Sequence, residues 1–331
     1  MPFSTLFDHL ETEAFSALGT SPIVWIDCAE AGASARAGQF AACQTIVAGF
    51  DVGGAGPDVD PAAFDLLLTA RSNARRPWVA VADVARAKAA ITAAVEAAPV
   101  AATTAARVLR INAGLSSDGG LHIESLAFST LLGGTEFRRW RAKKQQPATL
   151  PVEGEFVSVE RTDDCVTIGL TQPNRRNSMC AGMRDALHEA LCAVLDDPTE
   201  PDMVLKGVGR CFSTGGDLAE FGTADDLATA HIIRTLRSCA ARLAVLGPRA
   251  TVVLHGACIG SGLEIAAAAG VRRALPGAFF QLPELRMGLL PGAGGTVSVA
   301  RAIGRHRTCY MVLSGRRIGY ELAVNWGLVS L

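Results

Sequence analysis

The sequence has no excess of one charge and no long apolar run. With 31 Lys and Arg against 32 Asp and Glu, the formal net charge is −1, which argues against a dedicated nucleic-acid or membrane-surface binder. No apolar run reaches about 18 residues, so we expect no membrane span. Residues 1–11 contain Asp8, His9 and Glu11 and no apolar h-region, and we therefore expect no secretory signal.

Cysteine spacing that is typical of a metal site or a disulfide framework is also missing. The nine cysteines form no CxxC pair and have no flanking His pair, so we predict no metal site. An odd number of cysteines without a framework fits a reducing cytoplasm, where we expect the protein to reside. The stretch DVGGAGPD, residues 51–58, lacks the spacing of a dinucleotide or phosphate loop and is interpreted as a turn.

Apolar residues for a packed core are plentiful. They make up 49% of the 331 residues, against 19% charged residues, which is ample for a folded core and leaves room for about two domains. The polar, Pro-containing stretch QQPATLPVEGE separates two halves. We predict an N-terminal region at 1–145, a linker at 146–155 and a core at 156–331. Within the first region we expect a degenerate α/β piece at 1–80 and helices at 83–144.

Strand-like and helix-like segments alternate in the second half, which indicates an α/β fold. FVSVERTDDCVTIGLTQP reads as two strands joined by an Asp-Asp turn. One long helix is predicted over DLATAHIIRTLRSCAARLAVL, residues 226–246. In the first half, PIVWID and CQTIVAGFD read as strands, and PAAFDLLLTARS, residues 61–72, reads as a helix that begins near Pro61.

Three stretches of the second half carry residues that suit catalysis. In LHGACIGSGLE, Glu264 stands in an apolar run just after a glycine turn, and the N–H of Ser261 opens a helix without an internal partner. RCFSTGGDL contains a second glycine turn, and two N–H groups from separate turns can hold one carbonyl oxygen. In QLPELRMGLLPGAGGT, Glu284 follows Pro283. Two carboxyls in one cavity suit a reaction in which one takes a proton and the other delivers one.

Five motifs, in order, resemble the crotonase (enoyl-CoA hydratase/isomerase) superfamily: QPNRRNSM, GRCFSTGGDL, HGACIGSGLEIA, QLPELRMGLLPGAGGT and LSGRRIGYELAVNWGLVS. The resemblance covers about residues 157–331. It implies an α/β fold, a crotonase-type spiral of ββα units with a helical oligomerisation and cover region. Members of that family bind acyl-CoA thioesters and hold an enolate with two backbone N–H groups, which the resemblance puts at Gly216 and Ser261.

The same resemblance implies that Glu264 and Glu284 are the catalytic glutamates, which in hydratases handle the water and the proton. The presence of both favours water addition to a 2-enoyl-CoA, with no metal and no cofactor besides the coenzyme A of the substrate. The family usually has glycine where Ser261 stands, and a backbone donor survives that change. By position in the motifs, further substrate contacts are expected at Arg176, Ser178, Ser213, Asp217, Leu218 and Gly292.

Members of the family usually continue well past a GLVS-like stretch, whereas this sequence ends at Leu331. Residues 85–144 look similar to those C-terminal helices, so we predict that the helices that cover the coenzyme A precede the core in this chain. The resemblance also implies a homo-oligomer, a trimer or a hexamer. Two alternatives stay open: an isomerase, hydrolase or lyase of the same fold, and a non-catalytic acyl-CoA-binding assembly subunit.

Overall fold

The computed structural model describes residues 9–143, 152 and 154–330. The chain is a mixed α/β protein with parallel sheets, and the expected α/β class is confirmed; the helical oligomerisation and cover region stays a prediction. The predicted linker at 146–155 lies outside the described residues except at 152, 154 and 155.

The first half opens with a parallel four-stranded sheet whose strands follow one another in chain order. A short helix, α1 (His9–Ala14), precedes the sheet, and a second, α2 (Ala33–Gly38), follows the first strand. The two strands predicted from PIVWID and CQTIVAGFD are confirmed as the first two of the sheet. The four strands are β1 (Ile23–Asp27), β2 (Ile46–Asp51), β3 (Leu66–Thr69) and β4 (Val79–Ala80).

The helix predicted over residues 61–72 is wrong. Pro61–Ala63 form a single 3-10 turn, capped by the Asp60 side chain, and the chain then enters β3. Leu66, Leu67 and Leu68 are fully buried, because β3 is paired with strands on both edges and covered on both faces. A strand of this kind reads as a continuous apolar run, which periodicity does not separate from a buried helix segment.

Four helices complete the first half. Asp83 and Ser116 cap the first and third of them by accepting hydrogen bonds from backbone N–H groups of the first turn. Pro99 stands at the first position of the second helix, where a missing N–H costs nothing. The helices are α3 (Val84–Ala97), α4 (Pro99–Asn112), α5 (Ser117–Leu132) and α6 (Thr135–Lys143).

The second half contains two further sheets. A five-stranded sheet has the order β10-β8-β7-β6-β5, in which β5 and β6 are antiparallel and the other pairs parallel; a three-stranded sheet has the order β12-β11-β9. Their strands are β5 (Val157–Arg161), β6 (Cys165–Leu170), β7 (Asp202–Gly207), β8 (Ala250–Leu254), β9 (Ala257–Ile259), β10 (Val271–Ala274), β11 (Phe279–Gln281) and β12 (Ile318–Gly319). The helices are α7 (Ala181–Asp196), α8 (Leu227–Leu236), α9 (Cys239–Leu246), α10 (Ser261–Ala266), α11 (Gly295–Ile303), α12 (Arg305–Ser314) and α13 (Tyr320–Trp326).

The single helix predicted over residues 226–246 is broken in two. Between α8 and α9, Ser238 adopts an extended backbone, and its hydroxyl accepts a hydrogen bond from the Ala241 N–H. A serine side chain competes with the helical hydrogen-bond ladder and favours the N-cap position. The break gives α8 and α9 separate directions, and α5 packs against both of them.

The helices of the first half pack directly on the second half, through a buried apolar cluster that runs from β2 and β3 into the core. One close approach is between α5 and residues just before and within α11. A Cβ at Gly292 would lie 2.3 Å from the Phe128 ring, and a Cβ at Gly120 would lie 2.8 Å from a Val297 methyl group. Only glycine allows α5 to lie this close to the stretch that precedes α11.

Within the described residues, no single helix is long and apolar enough to cross a membrane. The pair α3 and α4 meets that test only jointly, and its two helices are bent by 109°.

Candidate active site

Two glycine turns lie side by side in the core. Residues 211–216 run along β9, with hydrogen bonds from Ser213 N to Ala257 O (3.2 Å) and from Ile259 N to Ser213 O (3.1 Å). The turn at Gly215 therefore abuts the turn at Gly260. A Cβ at Gly215 would lie 2.7 Å from the Ile259 carbonyl oxygen, so the approach of the two backbones requires glycine.

The two predicted oxyanion donors stand next to this junction, Gly216 after Gly215 and Ser261 after Gly260. Ser261 is the first residue of α10, so its N–H has no partner inside the helix. Among the hydrogen bonds that the described residues form, none has the N–H of Gly216 or Ser261 as its donor. Both groups are thus available to an oxygen acceptor supplied by a ligand.

Asn177 holds the first of these turns, and we did not predict it from the sequence. Its side chain is fully buried. The Nδ2 group donates to the carbonyls of Val208 (2.9 Å) and Phe212 (3.0 Å), and Oδ1 accepts from Gln172 N (3.0 Å). The signal was present in the motif QPNRRNSM, since a buried asparagine is well suited to hold several backbone groups of a loop.

Ser213 was predicted to contact the substrate, and this stays a prediction; the structure shows its contacts within the protein. The residue is fully buried. Its hydroxyl donates to the Asn177 carbonyl (2.7 Å) and accepts from the Gly215 N–H (3.2 Å). Both hydrogen bonds of the hydroxyl thus stabilise the turn that carries Gly216.

Asp217 is likewise engaged with a protein partner. Its carboxylate forms an ion pair with the buried Arg175, and the same carboxylate accepts from the Ala219 N–H (3.0 Å). The neighbouring Arg176 is exposed, and its carbonyl accepts from the Thr214 N–H (3.1 Å). The arginine that fixes Asp217 is therefore Arg175, which sequence reasoning passed over.

The other predicted contacts lie around the same junction. Ser178 precedes Met179, whose N–H donates to the Gly215 carbonyl (2.8 Å). The Leu218 carbonyl accepts from the Arg141 guanidinium of α6 (3.1 Å). Gly292 lies under the Phe128 ring. Contact of Ser178, Leu218 and Gly292 with a substrate stays a prediction.

Glu264 is buried behind the Ser261 turn. Only 2% of its surface is exposed. Its Oε2 accepts from Ala293 N (2.7 Å) and Gly295 N (3.0 Å), in residues 291–296, which include the first two residues of α11 and which we call the 291–296 loop. Burial raises the pKa of Glu264 from 4.5 to about 7, although hydrogen bonds from backbone N–H groups of this loop oppose the rise.

Glu284 opens a 3-10 turn, Glu284–Met287, after β11. It is 5% exposed, and its Oε2 atom is buried without a hydrogen-bond partner among the described residues. Burial first, and then the charge of Glu264, raise the pKa of Glu284 well above 4.5. An unpartnered buried carboxyl oxygen is expensive to keep, so this atom is the strongest sign of a ligand-facing group in the site.

Gly260 lies between the two carboxyls. A Cβ at this residue would be 2.8 Å from Glu284 Oε1 and 4.0 Å from Glu264 Oε1. The Gly260 backbone, with φ 50° and ψ −127°, is also one that residues with a side chain rarely adopt. The predicted pair of carboxyls is thus brought to one place, beside the two free N–H groups.

A third buried carboxyl was missed. Glu124 of α5 is 1% exposed, and it accepts hydrogen bonds from Gly294 N (2.6 Å) and from Thr296 N (2.7 Å) and Oγ1 (2.6 Å). Burial first, and then the charge of Glu264, raise its pKa to about 8. A helix of the first half therefore contributes directly to the surroundings of the site.

Comparison with known proteins supplies the family. The model of the enoyl-CoA hydratase/isomerase family matches residues 160–331. This chain belongs to the enoyl-CoA hydratase/isomerase family. Glu264, Glu284 and both glycine turns lie within the matched residues, whereas Glu124 lies outside them.

Individual relatives of this family are similar over about half of the chain. An enoyl-CoA hydratase, mitochondrial, of Pongo abelii is 32% identical over 181 residues, which are 53% of this chain and 61% of that protein. A 2,3-dehydroadipyl-CoA hydratase of Escherichia coli K12 is 33% identical over 172 residues, 52% of this chain and 67% of that protein. The crystal structure of an enoyl-CoA hydratase from Thermoplasma volcanium GSS1 is 30% identical, covers 54% of this chain and 71% of its own, and has a TM-score of 0.49.

The raised pKa of Glu264 predicts a pH effect on stability. Between 4.5 and about 7 the folded state binds this proton while the unfolded state releases it, so the free energy of unfolding falls as pH rises through that window. Glutamine at 264 cannot titrate, and its single carbonyl oxygen can replace Oε2 and accept both loop N–H groups. From about pH 5 to about pH 8, wild type should therefore lose Tm relative to Glu264→Gln. Parallel Tm curves in thermal denaturation would contradict the burial argument.

Proposed function

We propose that the protein adds water to the double bond of a 2-enoyl-CoA thioester, or removes it in reverse. The observation that carries the proposal is one junction where two free backbone N–H groups and two buried carboxyls meet. The hydratase names of the two relatives described above support it. Because the chain spans 61% of the first of them, the activity of the whole protein is our inference.

The two N–H groups bind the thioester oxygen. When the Gly216 and Ser261 N–H groups donate to this oxygen, they draw electron density from the conjugated double bond and stabilise the enolate that forms on attack at C3. Such preorganised donors act where charge develops, and each is worth roughly 3–4 kcal/mol in the transition state. Asn177 and Ser213 contribute by fixing the turn that carries one donor.

The two carboxyls divide the proton transfers. Hydrogen bonds from the 291–296 loop favour the charged form of Glu264, so Glu264 is the base that takes a proton from water as the C3–O bond forms. Glu284 has an unpartnered buried oxygen and an adjacent negative charge, so it carries the proton and delivers it to C2. One water is consumed, and the enolate returns to a thioester. The different environments of the two carboxyls push their pKa values apart, and this difference assigns Glu284 as the acid and Glu264 as the base.

The proposed reaction uses no metal and no redox cofactor, because the donors and acids it needs are side chains and backbone of this chain. A cytoplasmic location and a homo-oligomer remain part of the proposal. The nine cysteines are all free thiols, which suits a reducing compartment.

Ultraviolet absorbance of trans-2-butenoyl-CoA tests the proposal. Hydration removes the double bond in conjugation with the thioester, so the absorbance of the conjugated thioester should decay with protein and not with the double variant Glu264→Gln, Glu284→Gln. Because the acyl group is not fixed by these residues, longer 2-enoyl-CoAs and 2,3-dehydroadipyl-CoA belong in the same panel. A constant absorbance with every thioester, while acyl-CoA still binds, would favour the non-catalytic subunit.

A further inference from the structure

The 291–296 loop is held from two sides by carboxylates, and successive N–H groups alternate between them. Ala293 N and Gly295 N donate to Glu264 Oε2, at 2.7 and 3.0 Å. Gly294 N and Thr296 N donate to Glu124, at 2.6 and 2.7 Å. The loop leads into α11, so its geometry fixes where Glu264 lies relative to that helix. A movement of either carboxylate shifts the N–H groups that bind the other.

A carboxylate at position 124 is required by the pattern of donors. Oε1 accepts from Gly294 N, while Oε2 accepts from both the N–H and the hydroxyl of Thr296. Asn112 donates to the same hydroxyl (2.9 Å) and so turns its hydrogen towards Glu124. An amide has one acceptor oxygen, so glutamine would present its NH2 group to one of the two backbone donors.

The charges around Glu124 make it sensitive to its neighbours. Glu264 of α10 and Glu284 face it as like charges. Arg234 of α8 is the facing cation, and its guanidinium donates to Ser125 and Ser129 on α5. His231, with His122 beside it, contacts the same Ser125 hydroxyl. Other cations on packed helices bind elsewhere: Arg110 binds Asp65, and Arg301 binds Ser117 and the Leu115 carbonyl.

We propose that Glu124 is a positioning residue of the active site, which holds the 291–296 loop where its N–H groups bind the ionised carboxylate of Glu264. The catalytic role of Glu124 rests on the proposed function, whereas its contacts with the loop do not. Glu124 lies outside the residues matched by the family model, in a helix that precedes the core, whereas its partners Gly294 and Thr296 lie within them. Both carboxyl oxygens of Glu124 accept from the loop, so Glu124 acts through the loop on Glu264.

The proposal makes a directional prediction for the proton affinity of Glu264. Without the carboxyl at 124 the loop is no longer held, and the Ala293 and Gly295 N–H groups stabilise ionised Glu264 less, so its titration midpoint should rise. We expect a shift of about one pH unit, a tenfold change in proton affinity, in Glu124→Gln. Thr296→Val removes one of the three hydrogen bonds between the loop and Glu124, so the midpoint should move in the same direction by less.

Infrared titration of the full-length protein, with isotope-labelled Glu carboxyls, measures this midpoint without turnover. The band of Glu264 is identified as the one lost in Glu264→Gln. The matched control is Glu136→Gln, because Glu136 also accepts two backbone N–H groups, Val100 N (2.8 Å) and Ala101 N (2.9 Å), at the start of α4. This control should lose stability but leave the Glu264 midpoint unchanged.

The outcomes separate this inference from the proposed function. An unchanged Glu264 midpoint in folded Glu124→Gln and in Thr296→Val would overturn the inference and leave Glu124 a structural residue only. If Glu124→Gln does not fold, Thr296→Val alone decides. If no 2-enoyl-CoA is turned over but the midpoint shifts, the hydratase proposal fails and the positioning role stands. With turnover, the acid limb of the kcat/KM profile should shift by the same tenfold.

Discussion

Glutamine in place of Glu284 should lower kcat by a factor of about 100 to 10,000, the usual contribution of a positioned general acid. The substitution keeps the shape of the side chain and removes the proton that C2 requires. Because Glu284 Oε2 has no protein partner and the carboxyl favours its neutral form, the variant should keep or exceed the Tm of wild type. Steady-state rates with a 2-enoyl-CoA and a thermal unfolding scan check both statements.

The rate of the companion variant Glu264→Gln distinguishes a hydratase from an isomerase. A hydratase needs a base for water, so the rate should fall to a similar extent. An isomerase that works with Glu284 alone would keep much of its rate. Glu321→Gln, in the exposed first turn of α13, is the control, and its rate should equal that of wild type. A Glu284→Gln enzyme with an undiminished rate would remove Glu284 from the mechanism.

Proline in place of Ser261 should abolish one oxyanion donor and lower kcat by a factor of about 100 to 1,000. Residue 261 is the first of α10, a position at which proline is compatible with the helix. Its neighbour Gly260 lacks the Cβ that would meet the proline ring. The helix should therefore persist while the N–H is lost and the ring occupies part of the space for the thioester oxygen.

Ser261→Ala is the matched control for the proline variant. It keeps the backbone N–H and removes only the Ser261 hydroxyl, whose oxygen is buried without a partner among the described residues. We expect a rate close to that of wild type and an unchanged or higher Tm, since an unsatisfied polar atom is removed. Equal rates for the alanine and proline variants would show that the Ser261 N–H is not a donor in the reaction.

The candidate site residues in the second half were largely predictable, because they stand in short, local sequence motifs. A glycine turn before an apolar run that contains Glu264, and a Glu284 that follows Pro283, are visible in a single stretch each. The contacts of the side chains around them were not predictable. The Ser213 hydroxyl bonds to Asn177 and Gly215, and Asp217 forms an ion pair with Arg175. A polar residue next to such a turn can either hold the turn or bind the ligand, and only the tertiary contacts show which of these roles it has.

Glu124 could not be predicted, because its partners are distant in sequence. In SDGGLHIESLAFSTLL a single glutamate reads as the polar face of a helix. The available signal is the spacing of four residues between Gly120, Glu124 and Phe128. This spacing puts the glutamate on the same helix face as two residues that pack on the core. A charge inside an apolar stripe indicates a buried partner, but not which one.

The two secondary-structure errors have a common cause. The run at Leu66–Thr69 and the stretch 226–246 were assigned by local periodicity, which is blind to what covers a segment. Strand pairing on both edges decides the first, and the Ser238 cap decides the second. Tertiary contacts override local preference in the first case, and in the second a serine hydroxyl competes locally with the helical hydrogen bonds.

The most direct test of the account is the product formed from trans-2-butenoyl-CoA in water labelled with heavy oxygen. Mass spectrometry of the wild-type product should show one labelled oxygen, carried as a hydroxyl on C3, and the double variant Glu264→Gln, Glu284→Gln should form no such product. A product of unchanged mass with a migrated double bond, or free acid with the label in its carboxyl group, would contradict water addition and assign the site to isomerisation or thioester hydrolysis.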